Sequence, residues 1–227
     1  MKAFWMFTPW LPNSVNAGQW LGRCDLLNSP EIRRALPAPG EFARNAVPVA
    51  RMTFADESYD RDCFQIGPLT FVSEKLRRAM ALGPADIQYF DVDVDRSQSA
   101  PLPLSKHYQL MHVPVAEDVS DPEHSEYTLR HRPDGLELFG CPDAVTFRPG
   151  AEPAHDIFYD RFFQLTFCTD ELALRVLWAG CTGLRFVDPA RLKRGLGPYR
   201  TLRGVEEDNV WDPVRKIHTV ALIREIP

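Results

Sequence analysis

An eight-residue segment occurs twice in this chain. Leu69-Thr-Phe-Val-Ser-Glu-Lys-Leu76 returns as Leu165-Thr-Phe-Cys-Thr-Asp-Glu-Leu172, with four of the eight positions identical at an offset of 96 residues. An aromatic follows at the same distance in each copy, Phe90 lying 19 residues after Phe71 and Phe186 lying 19 after Phe167. Leu and Phe in each copy read as the end of a short strand. Ser73 or Thr169 then sits where an N-cap oxygen can take an unpaired helix amide, and Glu74, or Asp170 with Glu171, faces the positive end of the helix dipole. Each copy therefore predicts strand, cap, helix, turn and strand. Such spacing describes a structural unit rather than an active site.

The flanking segments complete an α+β pattern. Residues 2–7 are the first candidate strand, and residues 8–50, rich in Pro, Gly and Asn, hold a short helix expected after Ser29-Pro30 and running through Leu36. Residues 62–67 approach the first unit, whose helix is expected over 74–82 and is stopped by Gly83-Pro84. Residues 87–94 form a strand with Val92 and Val94 on one face and Asp91, Asp93 and Asp95 on the other. The middle, 106–162, reads as an antiparallel meander with strands at 107–115, 127–131, 135–139, 144–147 and 157–163. The second helix, 170–179, is apolar at Leu172, Ala173, Leu174, Val176, Leu177 and Trp178, which leaves Glu171 and Arg175 as its solvent stripe and predicts the more deeply buried helix. Residues 183–187 make its return strand, and 216–225 supply a final strand at a sheet edge or over the core. The expected fold is one α+β domain over 1–227, a mixed or mainly antiparallel sheet with two similar strand-helix-strand units packed on it.

Charge narrows the class of partner. With 26 Lys and Arg against 31 Asp and Glu, the net charge is −5, which disfavours nucleic acid and suits a partner with a basic face. The five cysteines, at 24, 63, 141, 168 and 181, are odd in number, lack a C-x-x-C pair and lie beside apolar residues. They read as reduced thiols, and with Pro9 and Pro12 interrupting the apolar start, no leader or membrane span is expected and the cytoplasm is the expected compartment.

A search for chemistry returns no phosphate loop, no G-x-G-x-x-G, no G-x-S-x-G elbow and no H-E-x-x-H. Asp91, Asp93 and Asp95 begin like a calcium loop, yet Arg96 occupies the turn position that needs Gly and Leu102 the position that needs a bidentate Glu. That carboxylate face with His107 or His112 is the basis of one alternative, a metal-assisted hydrolase, and a structural adaptor is another. No catalytic, cofactor-binding or metal residue is assigned. Acidic clusters offer a different use, because fixed carboxylates accelerate association with a basic protein. Candidate contacts combine acid with aromatic residues: Asp56, Glu57, Tyr59 and Asp60 before the first unit, and Glu117, Asp118, Asp121, Glu123, Glu126 and Tyr127 in the middle. Glu206-Glu-Asp208 is a further acidic run.

The repeated segment, Asp156-Ile-Phe158 upstream of its second copy, and Ala179-Gly-Cys-Thr-Gly-Leu-Arg-Phe186 after it together resemble immunity protein family 11 of bacterial polymorphic toxin systems, also described through a myxobacterial immunity domain. The resemblance spans 60–190 and is strongest over 156–187, with Cys168 and Thr169 where the family often has valine and serine. It implies a protein that protects the producing cell by binding a cognate toxin encoded nearby, with no catalytic residues and no cofactor. The N-terminal stretch and the tail after Arg191 lie outside the resemblance.

Overall fold

The computed structural model describes residues 4–9, 24–36, 39–54, 61–95, 106–127, 129–131, 137–139, 142–192, 207–212 and 217–222. Asp56, Glu57, Tyr59, Asp60 and Glu206 lie outside the described residues. In chain order the elements are β1 (Phe4–Pro9), β2 (Cys24–Leu26), α1 (Ser29–Ala35), β3 (Ala50–Phe54), β4 (Cys63–Ile66), β5 (Leu69–Ser73), α2 (Glu74–Met80) and β6 (Gln88–Asp95). They continue with β7 (Tyr108–His112), β8 (Ala116–Glu117), β9 (Leu129–His131), β10 (Glu137–Phe139), β11 (Ile157–Asp160) and β12 (Thr166–Thr169). Last come α3 (Asp170–Trp178), β13 (Leu184–Val187), β14 (Glu207–Asp212) and β15 (Ile217–Leu222). The fold is α+β, as the sequence pattern predicts.

Both copies of the repeat form strand, helix and strand, β5-α2-β6 and β12-α3-β13. Ser73 Oγ and Thr169 Oγ1 accept the amides of Leu76 and Leu172, so both predicted caps are made. A helix crossover returns the second strand parallel to the first with room for one strand between them, and an antiparallel strand fills each gap. The orders β4-β5-β7-β6 and β11-β12-β1-β13 are therefore the same arrangement. The first unit takes its central strand from the segment that follows it, whereas the second takes β1 from the start of the chain.

The repeat also extends upstream of the copied segment. Asp62-Cys-Phe64 and Asp156-Ile-Phe158 open the two hairpins, and Phe64 pairs with Phe71 as Phe158 pairs with Phe167. In each, the Asp carbonyl accepts the amide of the capping residue, 2.8 Å from Ser73 and 2.9 Å from Thr169. The Asp carboxylate accepts that residue's hydroxyl, 2.7 and 3.1 Å away. Each cap is thus held in place by the strand before it.

The two units lie edge to edge. The amides of Asp62 and Cys63 both donate to Thr182 carbonyl at 3.0 Å, joining the start of β4 to the turn before β13. Gly183 permits this approach, since its φ is +82° and a Cβ there would stand 2.1 Å from Cys63 carbonyl oxygen. Val72, Met111, Ile157, Cys168 and Phe186 from the strands share one core with Leu76, Met80, Leu172 and Val176 from the helices. On the opposite faces, Phe64, Phe71, Phe90 and Leu110 pack under Ile32 of α1, and Phe158, Phe163 and Phe167 pack with Val119 and Val145. At about 2 kcal/mol or more per fully buried large side chain, these three layers supply the main driving force for folding.

Several details differ from the sequence reading. Phe90 and Phe186 share a spacing but not a face: Phe90 pairs level with Leu110 away from the helices, whereas Phe186 pairs level with Phe7 toward them. Between the strands the first helix is two residues shorter and its return loop two residues longer, so the spans are equal in length but not in path. That helix ends at Met80, because Ala81 turns left-handed (φ 50°) and closes the cap on Arg77 carbonyl before Gly83-Pro84 is reached. Trp178, expected in the core, is 72% exposed. It falls on the stripe of Glu171 and Arg175, one helical turn onward.

Of the meander expected over 106–162, only β9 and β10 pair with each other as antiparallel neighbours among the described residues. Pairing needs of the two units draw β7 into the six-stranded sheet and β11 into the five-stranded one. Residues 144–147 contribute single bridges, Ala144 to Glu126 and Phe147 to Ser120. The final strand β15 pairs with β14 as a separate hairpin.

Candidate interaction surface

The middle acidic cluster forms an ordered ridge beside the outermost strand of the five-stranded sheet. β8 pairs in parallel with β11, which half-buries Glu117 and leaves its Oε1 buried with no hydrogen-bond partner among the described residues. Burial pushes the Glu117 carboxyl up, opposed by the amides and charge of His155 and the amide of Ala154. Asp118 is exposed and takes both guanidinium nitrogens of Arg148, at 3.1 and 3.4 Å. Asp121 caps the single turn Pro122–His124, accepting the amide of Glu123 and meeting His124 Nδ1 at 2.8 Å. Desolvation alone would raise Asp121, but the His124 hydrogen bond and charge hold it below the usual carboxylate range.

Glu123 and Glu126 point into solvent. Tyr127 is half-buried, its ring edge-on to Phe162 and Phe163 at 5.8 and 5.4 Å, so much of its area is already spent inside the fold. The ridge can present fixed negative charge, and its aromatic serves as a foundation.

The carboxylates of β6 do not assemble with the histidine of β7. Asp91 pairs level with Gln109 and His112 level with Gln88, an odd offset that puts Asp91 and His112 on opposite faces. His112 Nε2 lies 2.9 Å from Gly40 carbonyl and its ring packs on Phe42, and burial lowers its pKa. His107 stands exposed before β7. Among the described residues no three His, Cys, Asp or Glu side chains are placed to hold a metal ion. Cys63, Cys168 and Cys181 are buried free thiols, and burial pushes each up, Cys181 to about 11.

A second feature went unread in the sequence. Asp62, 1% exposed, accepts Ser73 Oγ at 2.7 Å and the amide of Thr182 at 2.9 Å, with Lys75 Nζ at 3.7 Å and Lys106 Nζ at 3.5 Å. Above it opens a groove of 530 Å³ whose lining includes Lys75, Arg78, Lys106, His107 and Ala179. Exposed Trp178 stands next to Ala179 in the chain. The signal available was the pairing of Asp62-Cys-Phe64 with Asp156-Ile-Phe158, which identifies Asp62 as the partner of a helix cap.

No helix among the described residues is long and apolar enough to cross a membrane. Curated proteins include no match to the chain. The model of the immunity protein family Imm11 matches residues 15–191. That match begins well before the region of resemblance read from the motifs, so it takes in β2, α1 and β3 together with both strand-helix-strand segments, but not β1. This chain belongs to the Imm11 immunity protein family.

Proposed function

We propose that this protein neutralises a cognate bacterial toxin by binding it, with no catalytic step and no cofactor of its own. The observation that carries this reading is the family match over residues 15–191. The site supports it in kind: a binding protein needs a shaped surface with a charged rim, and the 117–126 ridge is ordered by hydrogen bonds within itself and from Thr146 and Arg148. In this reading the chain acts as one unit in the cytoplasm, and Glu117, Asp118, Asp121, Glu123, Glu126 and Tyr127 form a rim that steers a basic patch of the toxin. Asp56, Glu57, Tyr59 and Asp60 are candidates for the same role.

Co-expression with the neighbouring open reading frame tests the proposal. Growth arrest by that gene alone, relieved when this protein is present, is the expected result. A harmless neighbour, or equal killing with and without this protein, would remove the basis for the reading.

A further inference from the structure

We propose that the exposed face of α2 and α3 is a toxin-docking surface, on which Trp178 enters an apolar pocket and the cations of the neighbouring groove meet acidic residues on that side of it. This rests on the toxin-binding reading and names the chemistry of the partner's surface. Trp178 is 72% exposed, more than the other exposed large hydrophobics among the described residues, Leu27 and Val49. A Trp seldom lies so open, because its ring offers more apolar area than any other side chain and forfeits that area to water. Ala179 and Gly180 follow it, so the next two residues provide no bulk to cover the ring. Solvent-facing aromatics are the residues that most often dominate binding energy when a partner desolvates them.

The charge beside it fixes the partner's sign. Around the groove Lys75, Arg78 and Lys106 stand against Glu74 at its wall and Asp62 beneath, three cations to two carboxylates, whereas the stripe of Trp178 itself is balanced, with Glu171 near Arg175 and Arg175 paired with Asp156. Asp62 is 1% exposed, so an approaching molecule meets the ammonium groups and not the carboxylate beneath them. Lys75 is held twice, by Asp62 and by Gly180 carbonyl, which removes much of the cost of ordering it on binding. The complementary surface is therefore acidic on the groove side of an apolar recess.

The test is a binding titration of the full-length protein with a catalytically inactivated form of the neighbouring toxin, at low and high salt. The variants are W178A, R78E and, for the ridge, E123K/E126K. Loss of affinity by roughly 30-fold or more in W178A is expected, with thermal stability unchanged because the ring is exposed. R78E should weaken binding most at low salt, where the attraction it reverses is least screened. Wild-type binding with W178A and R78E equally tight would overturn this inference and leave toxin binding standing. Absence of wild-type binding would overturn both. A W178A variant that alters self-association in sedimentation while keeping toxin affinity would assign the face to a second copy of the chain and overturn the proposal.

Discussion

An ionised carboxylate taken out of water costs several kcal/mol unless its lone pairs are filled. Asp62 meets that requirement with two hydroxyls, a backbone amide and two ammonium groups. Its counterpart Asp156 holds the other cap but is 41% exposed and pairs with a half-exposed Arg175 at 3.2 Å. The two should therefore differ in worth: D62A is expected to cost about 3 kcal/mol, because it strands buried donors, and D156A about 1 kcal/mol. Equal losses in chemical denaturation would contradict this division. His112 supplies a pH-dependent term of known sign. Burial lowers its folded pKa below the ordinary histidine value of 6.5, so protons bind the unfolded chain more tightly. Its contribution is complete above pH 6.5 and is lost as pH falls through that value toward the folded pKa. Melting temperature should thus drop more steeply on acidification in the wild type than in H112Q, whose amide retains a donor for Gly40 carbonyl. Parallel curves would remove His112 from the account. Capping residues were legible because their chemistry is local. Asp62 could be reached only by setting Asp62-Cys-Phe64 beside Asp156-Ile-Phe158, since its partners Ser73, Lys106 and Thr182 meet only after the chain has folded.

At the scale of elements, the repeat is a strand-helix-strand unit plus one borrowed antiparallel strand. Two similar octapeptides sufficed to predict both helices and both caps, because amphipathic spacing and N-cap chemistry are carried within a few residues. The borrowed strands could not be read the same way. Nothing in residues 4–9 announces that they pair on both edges with strands more than 150 residues away, and β7 looked like the start of a local meander. Trp178 illustrates a related limit: its composition suggested core, but one further turn of helix carries it onto the stripe of Glu171 and Arg175. Because β1 is a central strand, its amides should exchange with solvent as slowly as those of β12, near the global unfolding rate. Native-state hydrogen exchange measures this directly. Fast, tail-like exchange over residues 4–8 would show that the second unit stands without its borrowed strand.

For the whole molecule, the two units share one core and are joined edge to edge at Asp62, Cys63 and Gly183, so the faces they present are held in a fixed relation. An acidic ridge, a groove with a basic lining and an exposed Trp lie on the same scaffold, although the net charge alone had pointed to a basic partner. Net charge averages over a surface that a partner meets in patches. The acid ridge was legible as a run in the sequence, whereas the groove is assembled from residues 73 to 179 and had no linear signature. The central claim is that an Imm11 immunity protein of this architecture acts by occupancy. Titrating it into a fixed amount of the active cognate toxin tests that most directly. Binding predicts that activity falls in proportion and reaches its floor at one equivalent, with the toxin's mass unchanged. Complete inactivation by a small fraction of an equivalent, a changed toxin mass, or full activity in the presence of excess protein would contradict it.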